Sequence, residues 1–171
     1  MITTPTLTLR LAASALLAVG LTVVAAPAQA KQPDLEQQDP FGPVELPAGD
    51  ACDFPLTYSG TGDLTATSTH GNVTKVTGYG STLTLTNADT GETITLESAP
   101  FMNITTTLPS GEQHIQAHGS NLIILFPTDV PAGPSTTLYT GQVQYTITPP
   151  DGVFTLTKTA GKTIDICAQL V

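Results

Sequence analysis

Three histidines, fourteen carboxylates, four tyrosines and two cysteines are the side chains in this sequence best able to carry chemistry. His114-Ile-Gln-Ala-His118 has the i, i+4 spacing that grips zinc when it falls on a helix. Its flanks read as a strand, where such a pair shares a face but stands about 13 Å apart, too far for one ion. No metal site is expected, and His70, in Thr69-His-Gly-Asn72, reads as a turn residue. Asp50 and Asp53 flank Cys52, while Asp63, Asp89, Asp129 and Asp151 sit beside turns. Aspartates in such places bond to their own backbone, and the acid spacing of a calcium-binding EF-hand is missing. There is no G-x-S-x-G nucleophile elbow. The expectation is therefore no catalytic residues and no cofactor. The alternative is a small hydrolase assembled from loop His and Asp/Glu residues, or a structural component of the cell envelope. The residues left for binding are Tyr79 in Gly78-Tyr-Gly80, Tyr139 just after the Pro131–Pro134 loop, and His70. The chain has no tryptophan, the usual platform for sugars.

The cysteines have a different role. Cys52 and Cys167 stand near the two ends of the region expected to fold, and an even count in an exported chain reads as a disulfide. Closing so long a loop is worth roughly 4–5 kcal/mol in the chain-entropy model.

Export itself is read from residues 1–30. Arg10, the only arginine, gives a positive start, and an apolar run from Leu11 to Ala26 follows. Ala28 and Ala30 fit the small-residue cleavage pattern, which places the cut after Ala30. The run is shorter than the ~20 residues that span a bilayer, so no retained transmembrane anchor is expected. The remaining chain would be secreted, with four lysines and no arginine against fourteen acids. Binding to nucleic acid or to acidic lipid surfaces rests on Lys and Arg, so neither is expected as a partner. A cell-surface or extracellular ligand fits the charge better.

The elements that must position these residues follow from periodicity. Residues 31–47 are polar, Pro-containing and aperiodic, and read as a flexible N-terminal arm before a domain over 48–171. From there Ser81–Asn87, Thr93–Leu96, Gln142–Thr148 and Val153–Thr157 alternate apolar with Thr or Gln, the pattern of half-buried strands. Asn87-Ala-Asp-Thr-Gly91 and Pro149-Pro-Asp-Gly152 read as hairpin turns, and Gly119-Ser-Asn121 as a further break. Leu122–Phe126 is apolar throughout and predicts a strand covered on both faces. The last residues, Ile166–Val171, read as a strand. The whole predicts an all-β chain, a β-sandwich or jelly roll of about nine to eleven short antiparallel strands with one disulfide.

Gly49-Asp-Ala-Cys-Asp-Phe-Pro55, the Thr-rich run through Asn87–Gly91 and the closing Asp165-Ile-Cys167 resemble small secreted proteins of actinobacteria. The resemblance covers roughly Gly49 to Leu170. It implies a β-rich fold, a first-to-last cysteine bridge and a high-GC Gram-positive source, and it supplies no site residues. The expected function is a non-catalytic extracellular binding or surface-interaction module.

Overall fold

A computed structural model describes residues 34–171 of the chain. The leader expected over residues 1–30, with its cut after Ala30, lies outside them. In chain order the elements are β1 (Glu36–Gln37), β2 (Phe41–Leu46), β3 (Leu56–Gly60), β4 (Leu64–His70), β5 (Val73–Tyr79), β6 (Leu83–Asn87), β7 (Thr93–Leu96), β8 (Pro100–Thr107), β9 (Gln113–Leu125), β10 (Ser135–Thr148), β11 (Val153–Asp165) and the helical turn α1 (Ile166–Gln169). The strands form two antiparallel sheets, one in the order β1-β4-β5-β8-β9-β10-β11 and one in the order β2-β3-β6-β7. The protein is all-β and sandwich-like.

Alternation explains the smaller sheet. Leu83 and Leu85 point inward, while Thr84 and Thr86 point outward and pair with Thr95 and Thr93 across the strands. Thr86 and Thr93 join hydroxyls at 3.0 Å on that outer face. The inner face packs Leu56 and Leu85 against Ala51, Cys52, Ile166 and Leu170, all essentially without exposure. Truncating one such leucine to Ala costs about 2–5 kcal/mol. The disulfide Cys52–Cys167 closes this core, with Cα atoms 5.6 Å apart. Buried Thr136, on β10, donates from Oγ1 to the carbonyl of Ala51 at 3.0 Å and fixes the same corner.

The larger sheet does something that alternation did not foretell. β9, β10 and β11 run for 13 or 14 residues, well beyond the short strands expected. Gly119, Gly141 and Gly161 lie in one row across them, paired Gly119↔Gly141↔Gly161. The row continues through Phe101 to Gly78 on β5. At Gly119 the backbone has φ +92°, and an added Cβ would stand 2.3 Å from the carbonyl oxygen of Pro100. Only glycine allows so close an approach in that conformation.

The sheet folds over along this line. Ala117 and Leu125 lie eight residues apart on β9, which would separate them by about 26 Å on a straight strand. Yet both belong to one cluster with Ile123 and Val143, against which Tyr139, Tyr145, Phe154 and Leu156 pack. A second hydrophobic core is thus enclosed within the bend of one sheet. The apolar run after Asn121 serves both cores: Leu122 and Ile124 face the first, and Ile123 and Leu125 face the second. Coverage on both faces is what that run predicted, and it holds for Leu122 to Leu125, while Phe126 lies past the strand and is exposed.

The loop leaving β9 then crosses to β11. Asp129, 7% exposed, accepts Phe126 N on Oδ2 at 2.7 Å and Phe154 N on Oδ1 at 3.0 Å. Val130 adds two backbone bonds, Val130 N to Phe154 O and Leu156 N to Val130 O. The carboxylate therefore latches the end of β9 to the outer edge of β11.

Three expectations change. Gly119-Ser-Asn121 does not end a strand but bends one, because its glycine meets glycine across the ladder. Ile166–Gln169 is helical rather than extended: Asp165 caps it by accepting Ala168 N at 3.1 Å, and Ile166 and Leu170, four apart, bury on one side. The segment read as a flexible arm supplies β1, paired with β4, and β2, paired with β3. Both are edge strands and bury little, which is why their sequence looks so polar. The hairpins at Asn87–Gly91 and Pro149–Gly152 stand where the sequence put them.

Candidate functional site

Four connections carry the chain between the sheets, after β1, β3, β5 and β7. The one after β3 contains Asp63, and the one after β5 contains Gly80 and Ser81. Asp63 ties these two together, accepting both Ser81 N and Ser81 Oγ on Oδ1, each at 2.7 Å. Behind this clamp the sheets part, leaving a cleft of about 300 Å³. That is the small end of the ~300–1,000 Å³ range of ligand sites.

The cleft has apolar walls and a few polar groups. Phe41 and Phe101 contribute rings from the two sheets, and Leu83, Leu122 and Leu138 add aliphatic surface. Phe41 stands edge-on to Tyr58 with ring centroids 6.0 Å apart. Tyr145 reaches the cleft from β10 with its ring stacked on Phe154, centroids 4.1 Å apart and planes at 22°. Burial pushes its phenol pKa above the ordinary 10.0, because the charged form loses hydration. Asp63 and Glu97 line the same cleft, and among the described residues no Lys, Arg or His does.

Two amides in the cleft are unsatisfied. Asn103 Oδ1 and Asn121 Nδ2 are buried and have no hydrogen-bond partner, the only side-chain atoms so found among the described residues. Both line the cleft. Asn103 sits in mid-strand opposite Ala117, and Asn121 follows the bend on β9 opposite Tyr139. Each unpaired buried group costs about 1–3 kcal/mol, and native structures keep few of them. Asparagine is also poorly suited to strand interiors, so neither local conformation nor packing accounts for these two.

A second, more open hollow of about 540 Å³ adjoins the cleft. Gly80 lines both, and Gln37, Gln38, Asp39, Ser98 and the half-exposed Tyr79 line the second. Of the three residues the sequence left for binding, Tyr79, Tyr139 and His70, Tyr79 alone reaches either hollow, while Asp63, read as a turn residue, lines the cleft. Tyr139 packs against the second core. His70 is exposed at the β4–β5 hairpin. His114 and His118 stand apart along one strand, opposite Thr146 and Gln142, and His114 meets Glu112 at the surface. Among the described residues, no group of three His, Cys, Asp or Glu is placed to hold a metal ion.

The sequence did not single out Asn103 or Asn121 as site residues. Asn103 was visible only within an Asn-Ile-Thr triplet, and Asn121 was masked by the apparent turn around Gly119. An asparagine with strand-forming neighbours on both sides was the available signal for Asn103, and Asn121, preceded by Gly119-Ser120, offered none. No family model, curated protein or solved structure matches the chain.

Proposed function

We propose that the protein is an exported, non-catalytic binding module whose ligand seat is the cleft between the sheets. The two unpaired amide atoms of Asn103 and Asn121 carry the reading. A donor and an acceptor buried without partners in the wall of the hollow burden the fold, and a ligand that draws these amides outward and supplies their partners removes that burden. The clamp of Asp63 on Ser81 supports it, since it fixes the mouth before any ligand arrives. Export is supported by the disulfide, which persists in oxidising compartments, and by the leader read from residues 1–30. Among the described residues no helix is long and apolar enough to cross a membrane.

The test is a screen of small polar and aromatic fragments, read by NMR on the side-chain amide groups of asparagine. Fragments that bind should shift the NH₂ signals of Asn103 and Asn121, and Asn121→Leu should abolish those responses while leaving the backbone spectrum folded. Fragment responses that map elsewhere, with both asparagines unmoved, would remove the cleft as the seat.

A further inference from the structure

The chemistry of the cleft narrows what it accepts. The inference rests on the binding reading above and names the class of ligand. Amide oxygen and nitrogen are assigned from their surroundings, and the Asn103 and Asn121 side-chain amides make no hydrogen bond among the described residues, so in either orientation each offers a donor or an acceptor in the wall of the cleft that both line. A hydroxyl group answers both orientations, because it donates and accepts. A carbonyl or an ammonium answers only one.

Charge removes further classes. Asp63 and Glu97 line the cleft, Asp39 lines the adjoining hollow, and among the described residues neither lining holds a cation. Both bonds from Ser81 fall on Oδ1 of Asp63, so Oδ2 has no protein partner among the described residues and is an acceptor for a ligand hydroxyl. Phosphates, sulfates and uronic acids would meet acid with nothing to balance it. The aromatic walls call for a ligand that also has an apolar face. Phe41 and Phe101 offer ring surface, and Tyr145 and the aliphatic side chains close the remainder. An uncharged sugar ring combines C–H faces with hydroxyl edges, which matches both halves of the lining.

Length follows from the continuation past Gly80. The residue has no side chain to divide the hollows, and Tyr79 stands half exposed on the far side. We propose that the cleft binds a neutral, linear oligosaccharide, with one ring between Asn103 and Asn121 and the next laid across Tyr79. The site comprises at least two sugar positions. Tyr79, which packs against neither core, acts on the second alone.

The experiment titrates the purified protein calorimetrically with neutral oligosaccharides of two and four units from the β-glucan, α-glucan, xylan and mannan series. Oligogalacturonate and a neutral tetrapeptide serve as comparisons. At least one neutral series should bind, with the tetramer about tenfold tighter than the dimer. Tyr79→Ala should bring the tetramer down to the dimer's affinity and leave the dimer unchanged. Asn121→Leu should weaken both, and Asn103→Ser serves the same purpose should that variant fail to fold. Equal affinity for both lengths, binding only of the peptide or the uronate, or no response to any neutral series would each overturn the proposal. Asparagine signals that shift with non-sugar fragments, in the absence of any sugar binding, would end the sugar assignment while the cleft remained a binding site.

Discussion

The core between the sheets is bounded by residues from opposite ends of the domain, from Ala51 and Leu56 to Ile166 and Leu170, and a covalent bridge joins those ends. The core inside the folded sheet is built from Ala117 through Leu156, a span of three consecutive hairpin-linked strands. No cross-link holds it. Its closure depends on backbone geometry at a line of glycines and on one buried carboxylate that latches a loop to β11. One core is vulnerable to reduction, and the other to the addition of a single methyl group.

The largest effect should come from that methyl group. Gly119→Ala places a Cβ against the backbone of β8 at a positive φ, and a loss above about 4 kcal/mol is expected, enough to prevent folding. Gly71→Ala is the control: its φ is also positive, but nothing lies within 4 Å, so only the conformational cost of about 1–2 kcal/mol applies. Urea unfolding followed by circular dichroism compares them, and equal losses would mean that the close approach of the strands is unimportant.

Next comes the bridge. Replacing Cys52 and Cys167 by Ser should cost about 2–5 kcal/mol. The difference between the cores appears in where amide exchange accelerates: Leu85 and Ile166 should lose protection first, with Val143 holding longest. Parallel loss at all three would merge the cores into one cooperative unit.

Asp129→Asn is smaller and more local. Two backbone N–H groups lose a charged acceptor, for about 1.5–3 kcal/mol. Exchange should quicken at Phe126 and Phe154 while Leu85 stays as it was. If Leu85 responds equally, the carboxylate supports the whole domain rather than its own latch.

The smallest effect is confined to alkaline solution. Tyr145 has a raised pKa in the folded chain, so below about pH 10 it is neutral in both states and contributes no pH dependence. Above that value the unfolded chain gives up the proton first. Stability then falls with rising pH until the folded group ionises as well. Tyr145→Phe should flatten part of this decline, measured as the difference between variant and parent melting temperatures from pH 8 to 11. Identical slopes would show that the phenol is hydrated after all.

Much of the architecture was readable because alternation and turn chemistry are local. Leu83–Asn87 and Val153–Thr157 declare one buried face each, and Asp-Gly in Pro149–Gly152 declares its turn. The pairing of Cys52 with Cys167 followed from their number. The bend was not readable, because a glycine that ends a strand and one that folds it look alike until its opposite number across the ladder is known. Asn103 and Asn121 were hidden for a related reason. Their meaning lies in what they fail to touch, and that is decided by strands and connections scattered from Phe41 to Tyr145. Tyr79 was legible because exposure of an aromatic between two glycines needs no partner to define it.

The glycine line also bears on how such a chain can drift over generations. Thr and Ser on the outer faces are exchangeable for other strand formers, and core leucines for other aliphatics. Residues 119, 141 and 161 are not, because a Cβ at any of them would run into the backbone of the adjoining strand. Descendants should therefore keep three glycines at intervals of about twenty residues long after the rest has become unrecognisable. That spacing, with an asparagine two places after the first glycine, is the signature by which distant relatives could be collected.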